Sequence, residues 1–492
     1  MGDAWAELSA KLRELKTLES IGGLLGWDER TYMPKGASEV RGRQSALMAV
    51  LAHERVVDPS IPDLLEALAS DPDPMRQATI RALRRRHEAE VKVPTDLVRA
   101  LSEARTAGYS AWLRAKAEDD FSLFAPALEE VIARYRERLS CFGPAEDLYD
   151  HALQAYDPGT KTKDIEPLFA RLSARLGAFL QEIEADRPYE PVDWGLDEAS
   201  ELRVHHRVIR TLGFDMNCGR LDRTVHPFCS GHFPQDVRLT TDVGGVDPLE
   251  GLLSTIHECG HGLYDQGLPA HLYGTGLDKG AGMAVHESQS RFFENIIGRS
   301  RPFLTWLSRI IKEENPGFGP SAERLYREAN GVRRSLRRIQ ADEVTYNLHI
   351  IIRFELEKQL LDGSLGVSDV REAWDEAYER TLGVRPASAV QGVMQDVHWS
   401  KGKFGYFPSY ALGNLYAASL GAAMEAQLPQ MWDQVEQGDF SEILGWLRRA
   451  VHQRGSEADG PEIIADAVGE RDGVEDLITY FRGRHGALFP AA

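Results

Sequence analysis

Most of the chain repeats its apolar residues with the period of a helix. Between Asp164 and Ala185, Ile165, Leu168, Phe169, Leu172, Leu176, Phe179, Leu180 and Ile183 fall on one stripe, as a helix packed on a core requires. Ser368 stands where it can cap a second helix carrying Val370, Ala373, Trp374 and Ala377, which Gly383 ends. From about Val332 to Asp362 there is neither Gly nor Pro, and Gly363 follows, so this stretch reads as one long helix. Short breaks fall at Asp71-Pro72-Asp73-Pro74, Tyr156-Asp157-Pro158-Gly159, Arg187-Pro188 and Asn315-Pro316-Gly317. With no fixed repeat and no low-complexity linker, residues 1–492 are expected to form one large, mainly helical body.

One segment departs from this pattern. Between His226 and Gly245, Gly and Pro punctuate the chain and Asp236–Thr241 then alternates. A period of two puts Val237 and Leu239 on one face and Asp236, Arg238 and Thr240 on the other. That predicts a short strand with a polar, hydrogen-bonding face, on pattern alone an edge strand with a solvated side.

The next helix carries the chemistry. Asp247 at the N-cap, Pro248 behind it and Glu250 two further on make a strong start, and Gly267 before Pro269 makes a strong stop. Inside lie His257, Glu258 and His261. Two histidines four apart share a helix face, so their imidazoles converge on one ion while Glu258 poises a water beside it, the H-E-x-x-H pattern of zinc peptidases. Such a site needs a third protein ligand and one open position. Glu287, in the helical stretch from Met283 to about Gly298, follows His261 by 26 residues. A turn of about 15–20 residues brings a second helix beside the first, which makes Glu287 the candidate and Glu294 the reserve. Cys259 lies about 200° from His257 around the helix and reads as packing.

Composition narrows the setting. A chain of 492 residues, 42% hydrophobic and 27% charged, is globular and long enough for a substantial core. A formal charge of −19 leaves no basic footprint for nucleic acid or anionic lipid. Cys141, Cys218, Cys229 and Cys259 show no C-x-x-C spacing, which suits a reducing compartment. No signal-peptide pattern opens the chain, and no apolar run reaches the roughly 18–20 residues of a membrane span. A cytoplasmic protein is expected, with neither nucleic acid nor membrane as partner.

Six motifs then stand in order: His226-Pro227-Phe228; Asp236-x-Arg238-x-Thr240; His257-Glu258-x-x-His261; His286-Glu287-Ser288-Gln289; Arg338-x-x-Ala341-Asp342; and Gly392-x-x-Gln395-Asp396-x-His398-Trp399. Trp27-Asp28 and Met33-Pro34 precede them. Together they resemble the carboxypeptidase Taq family of zinc metallopeptidases over essentially the whole chain. One departure is Arg337, where the family has Ile or Val, which leaves open whether Arg337 or Arg338 points into the cleft.

The resemblance implies a large helical bilobal peptidase with a deep central cleft and a short antiparallel sheet near the active site, similar to the helical dipeptidyl carboxypeptidases and neurolysin-like peptidases. It implies one Zn²⁺ per subunit, with Co²⁺ or Mn²⁺ as substitutes, and a homodimer. The expected reaction releases single amino acids from peptides with a free C-terminus, with broad preference and poor action beside proline. Glu258 is then the general base, and His398 and Tyr406 are the oxyanion donors. A guanidinium pairs bidentately with a terminal carboxylate, so Arg338 and Arg238 are the clamp candidates, with Thr240 and His226 on the substrate side. Tyr410 and Arg353 are weaker alternatives, and each motif arginine can instead brace Asp236, Asp342 or Asp396. Two other readings share the zinc residues: an oligopeptidase or dipeptidyl carboxypeptidase on the same scaffold, and a non-catalytic zinc-binding scaffold, against which the presence of Glu258 argues.

Overall fold

The computed structural model describes residues 2–183, 185–186, 189–486 and 488–489. Helices dominate. In chain order the first eight are α1 (Gly2–Arg30), α2 (Ser38–Val56), α3 (Ile61–Ala67), α4 (Pro74–Val91), α5 (Thr95–Glu118), α6 (Ala125–Ser140), α7 (Tyr149–Leu153) and α8 (Thr162–Glu182). After α9 (Glu198–Thr211) come strands β1 (Gly219–Arg223), β2 (Cys229–Phe233) and β3 (Asp236–Thr241), then α10 (Pro248–Gly267) and α11 (Met283–Arg291). The rest are α12 (Arg301–Glu314), α13 (Ala322–Ala329), α14 (Tyr346–Asp362), α15 (Val370–Leu382), α16 (Phe407–Gln427), α17 (Met431–Gln437), α18 (Ser441–Ala450), α19 (Gly460–Val468) and α20 (Gly473–Phe481).

The chain forms two compact units. The first comprises Met1–Val91, Glu190–Ala329 and Ala417–Arg471, and the second Lys92–Tyr189, Asn330–Tyr416 and Asp472–Ala492. In the first, α10 packs against β2, β3, α9 and α11, burying Leu249, Leu252, Leu253, Ile256 and Leu263. In the second, α14 packs against α8 and α15, with Ile350, Ile351, Ile352 and Phe354 buried. No helix among the described residues is long and apolar enough to cross a membrane.

The stripe in α8 is as patterned: Ile165, Phe169, Leu172, Leu176 and Phe179 are buried, with Leu168 and Leu180 half-buried. The Asp71–Pro74, Tyr156–Gly159 and Asn315–Gly317 breaks fall between helices. Arg187-Pro188 lies outside the described residues.

Four expectations need correction. The sheet is mixed, not antiparallel: its order is β1-β3-β2, with β3 parallel to β1 and antiparallel to β2. β3 is therefore the central strand, not an edge, which is why Thr240 and Thr241 are as buried as Val237 and Leu239. The long helix over Val332–Asp362 is only half there. Asp342 folds the segment before Tyr346 by accepting the amides of Arg333, Val344 and Thr345, bonds that compete with the helical ladder. α14 starts only afterwards and ends at Gly363, whose φ of +86° needs glycine. Finally, Asp369 rather than Ser368 occupies the N-cap of α15, without a capping bond, while Gly383 does end that helix.

Candidate metal centre

Asp247 caps α10 by accepting the Glu250 amide, which fixes the start of the helix and thus the phase of everything on it. His257 and His261 emerge on one face, and Gly260 lies between them. A methyl group at Gly260 would fall 2.5 Å from the Gln289 carbonyl oxygen and 2.6 Å from Ser290 Cα. Glycine at this position lets the backbone of α11 close onto α10. That approach delivers Glu287 to the histidines.

The result is a converging triad. The ligand atoms of His257, His261 and Glu287 all lie within 4.8 Å of one another. Glu287 Oε2 is 3.4 Å from His261 Nε2 and 3.7 Å from His257 Nε2. Ligands held about 2.0–2.2 Å from a tetrahedral ion stand roughly 3.3–3.6 Å apart, so the spacing suits a small divalent cation. Glu258 is half-buried, one position along from His257.

The other ring nitrogens are already bound. His257 Nδ1 is 2.8 Å from Glu294 Oε2, and His261 Nδ1 is 2.6 Å from His286 Nδ1. His286 Nε2 in turn lies 3.0 Å from Asp265 Oδ1. Asp265 thus backs His286, and His286 and Glu294 back the Nδ1 atoms of His261 and His257, which leaves both Nε2 atoms turned toward Glu287 Oε2. Two imidazoles so oriented, with one carboxylate, fit a divalent metal, which would take the place of protons on Nε2.

Glu294 is accordingly the partner that orients His257. It is held in the π-helical segment Phe292–Gly298 by Arg291 and Arg299. Gly231 makes room for Asp265: a methyl group there would lie 2.1 Å from Asp265 Oδ2. Burial pushes Glu287 up, but Arg291 and the two histidines outweigh it and hold the carboxyl well below its usual range. Burial likewise opposes, and Arg291, His257 and Arg299 overcome, for Glu294. The carboxylates are thus charged and ready for a cation. Cys259 is fully buried, in keeping with packing.

The remaining candidates of the first unit are engaged in the fold. Arg238 pairs bidentately with Asp236 at 2.7 and 3.0 Å and lies over the Trp27 ring, 4.5 Å from its centroid. The Thr240 hydroxyl exchanges bonds with the backbone of Phe228. His226 is exposed, and its carbonyl accepts from Thr224.

In the second unit Asp396 sits between two arginines. Its Oδ1 accepts from Arg338 Nε and Nη2, and its Oδ2 from Arg353 Nε at 2.7 Å. Arg338 Nη1 donates to the Tyr346 hydroxyl. Of the adjacent arginines it is Arg338 that is buried, while Arg337 belongs to a separate open cavity with Arg334 and Arg385. Burial pushes His398 down to about 3, so its ring is neutral near pH 7. The His398 and Tyr406 rings lie 5.5 Å apart, and Tyr406 meets Tyr410 edge-on.

This fold and this centre define a helical metallopeptidase of the H-E-x-x-H type. Residues 7–485 match the carboxypeptidase Taq (M32) metallopeptidase family, and the chain belongs to it. It is 37% identical to thermostable carboxypeptidase 1 of Thermus thermophilus, over 99% of each chain, and 35% identical to carboxypeptidase 1 of Bacillus subtilis, over 97% of each. The crystal structure of the M32 carboxypeptidase from Deinococcus radiodurans R1 superposes with a TM-score of 0.95 at 38% identity, over 99% of each chain. The protein is a metallocarboxypeptidase that uses a divalent metal.

Sequence reasoning missed the roles of Glu294, His286, Asp265 and Gly260. Gly260 did carry a signal, a glycine inside a helix flanked by the two histidines.

Proposed function

We propose that His257, His261 and Glu287 hold one Zn²⁺, which Co²⁺ or Mn²⁺ can replace, and that the enzyme releases single amino acids from peptides with a free C-terminus. The observation that carries this is the convergence of the His257 and His261 Nε2 atoms on the Glu287 carboxylate, with Glu258 on the same helix. When bound, the ion supplies Lewis-acid chemistry, acidifying water and polarising the scissile carbonyl. Glu258 takes a proton from the attacking water and passes it to the leaving amine. His398, neutral through burial, and Tyr406 offer hydrogen bonds to the developing oxyanion. Arg338, and secondarily Arg238, meets the terminal carboxylate, with Thr240 and His226 beside the substrate; the motifs that contain these residues support the assignment. Broad preference, poor action beside proline, a cytoplasmic setting and a homodimer complete the reading, on the strength of the family resemblance.

Glu258→Gln tests it. An amide cannot accept the proton, so turnover should fall by about 10²–10⁴-fold while metal analysis still finds one ion per chain. Turnover within about threefold of the parent, far below that range, would remove Glu258 as the base.

A further inference from the structure

We propose that Glu357 is a positioning residue that pins both ends of the loop bearing His398 and Tyr406, and so holds these two groups for the transition state. This rests on the reading that they are the oxyanion donors. Glu357 lies on α14 and is fully buried. Its Oε1 accepts from the indole Nε1 of Trp399 at 2.9 Å, and its Oε2 from the amide of Gly405 at 2.9 Å and the Tyr149 hydroxyl at 2.7 Å. Trp399 directly follows His398, and Gly405 directly precedes Tyr406. One carboxylate thus ties down the inner neighbour of each donor.

The loop is built around those ties. The His398 carbonyl accepts from the amides of Lys401 and Lys403, closing the loop on itself, and the Phe404 carbonyl accepts from Tyr135. Gly405 has a φ of +83°, and a methyl group there would lie 2.6 Å from the backbone of Ala152, so only glycine brings this amide to Glu357. Trp399 and Gly405 are buried, whereas His398 and Tyr406 are half-buried. The anchors face the core and the donors do not. Burial pushes Glu357 up to about 7 against the three donors. A buried carboxylate that the triad chemistry does not use, facing three N–H or O–H groups, has a role in holding geometry.

Glu357→Gln removes the charge and turns one oxygen into a donor at the same volume. The expected result is a kcat lower by about tenfold or more, since small misplacements of reacting groups carry such penalties, with KM and metal content little changed. Amide hydrogen exchange across residues 399–405, read by mass spectrometry, should quicken by about tenfold or more. In a His398→Ala, Tyr406→Phe background the same substitution should leave kcat within about twofold, because it acts through those groups. Trp399→Phe, which deletes one tie and leaves the carboxylate, is the second variant should Glu357→Gln not fold, and should show a smaller loss of the same kind. Unchanged exchange, or an equal kcat loss in both backgrounds, overturns the proposal. If His398→Ala lowers kcat and Glu357→Gln does not, the proposal alone fails. If neither lowers it, the donor reading fails and the proposal goes with it.

Discussion

The metal centre of the first unit and the arginine cluster of the second are both buried and charged, yet they settle their charges in opposite ways. Around His257 and His261 stand Glu258, Asp265, Glu287 and Glu294, against Arg291 and Arg299. Both Nδ1 atoms are bonded outward, and both Nε2 atoms converge on Glu287 Oε2. Around Asp396 the bonds are internal: Arg338 donates to it from Nε and Nη2 and to Tyr346 from Nη1, and Arg353 closes on the other oxygen. The first cluster is a receptacle in which carboxylates outnumber arginines. The second is already paired, and a substrate carboxylate reaching Arg338 has to share it with Asp396. An open donor set is therefore a stronger pointer to a ligand than a conspicuous arginine.

The largest expected effect bears on the receptacle. Glu287→Ala removes the carboxylate on which both histidines converge, and metal analysis should find the ion gone together with activity. The loss should exceed the roughly 10–100-fold that follows removal of an outer partner. Full metal retention would take Glu287 out of the ligand set; Glu294 would then have to leave His257 Nδ1 to replace it.

The second test asks whether the paired cluster still opens to substrate. Arg338→Ala should weaken cleavage of free-acid peptides by roughly 30-fold or more, the scale of truncating one partner of a charge-assisted pair. The C-terminally amidated peptide, already poor for the parent, should scarcely worsen. Arg238→Ala should follow the same pattern more weakly. Equal losses on both peptides would mean that Arg338 serves Asp396 alone.

The same contrast explains what could be read from the chain. The bounds and phase of α10 were legible, because Asp247, Pro248 and Gly267 fix the register that puts His257 and His261 on one face. Glu287 was a reasonable ligand on chain length, and the His286-Glu287-Ser288-Gln289 motif carried it further. The His261–His286–Asp265 sequence of bonds was not, since Asp265 and His286 come from two helices whose approach depends on Gly260. The mixed sheet escaped notice because β1, Gly-Arg-Leu-Asp-Arg, has too few apolar residues to announce a strand. The helix expected from Val332 failed because a search for Gly and Pro does not see an Asp that folds the backbone onto itself, as Asp342 does. Arg338 reaches a carboxylate 58 positions away, and no spacing rule finds such a partner.

The smallest effect concerns the bonds behind the histidines. Asp265→Asn keeps a carbonyl that can accept from His286 Nε2–H but removes the charge. Metal affinity should fall by about tenfold, the low end of what outer partners contribute, as measured by competition with a chromogenic chelator. An unchanged affinity would make the His286–Asp265 pair a packing feature.

The central claim is that this centre removes one residue at a time from a free C-terminus. Its most direct test is mass spectrometry of the products from an unblocked peptide and its amidated twin, with and without a chelator. The account predicts a ladder of single-residue steps from the free acid, little cleavage of the amide, and no ladder once the chelator is present. Steps of two residues, internal cuts, or a ladder indifferent to the chelator would contradict it.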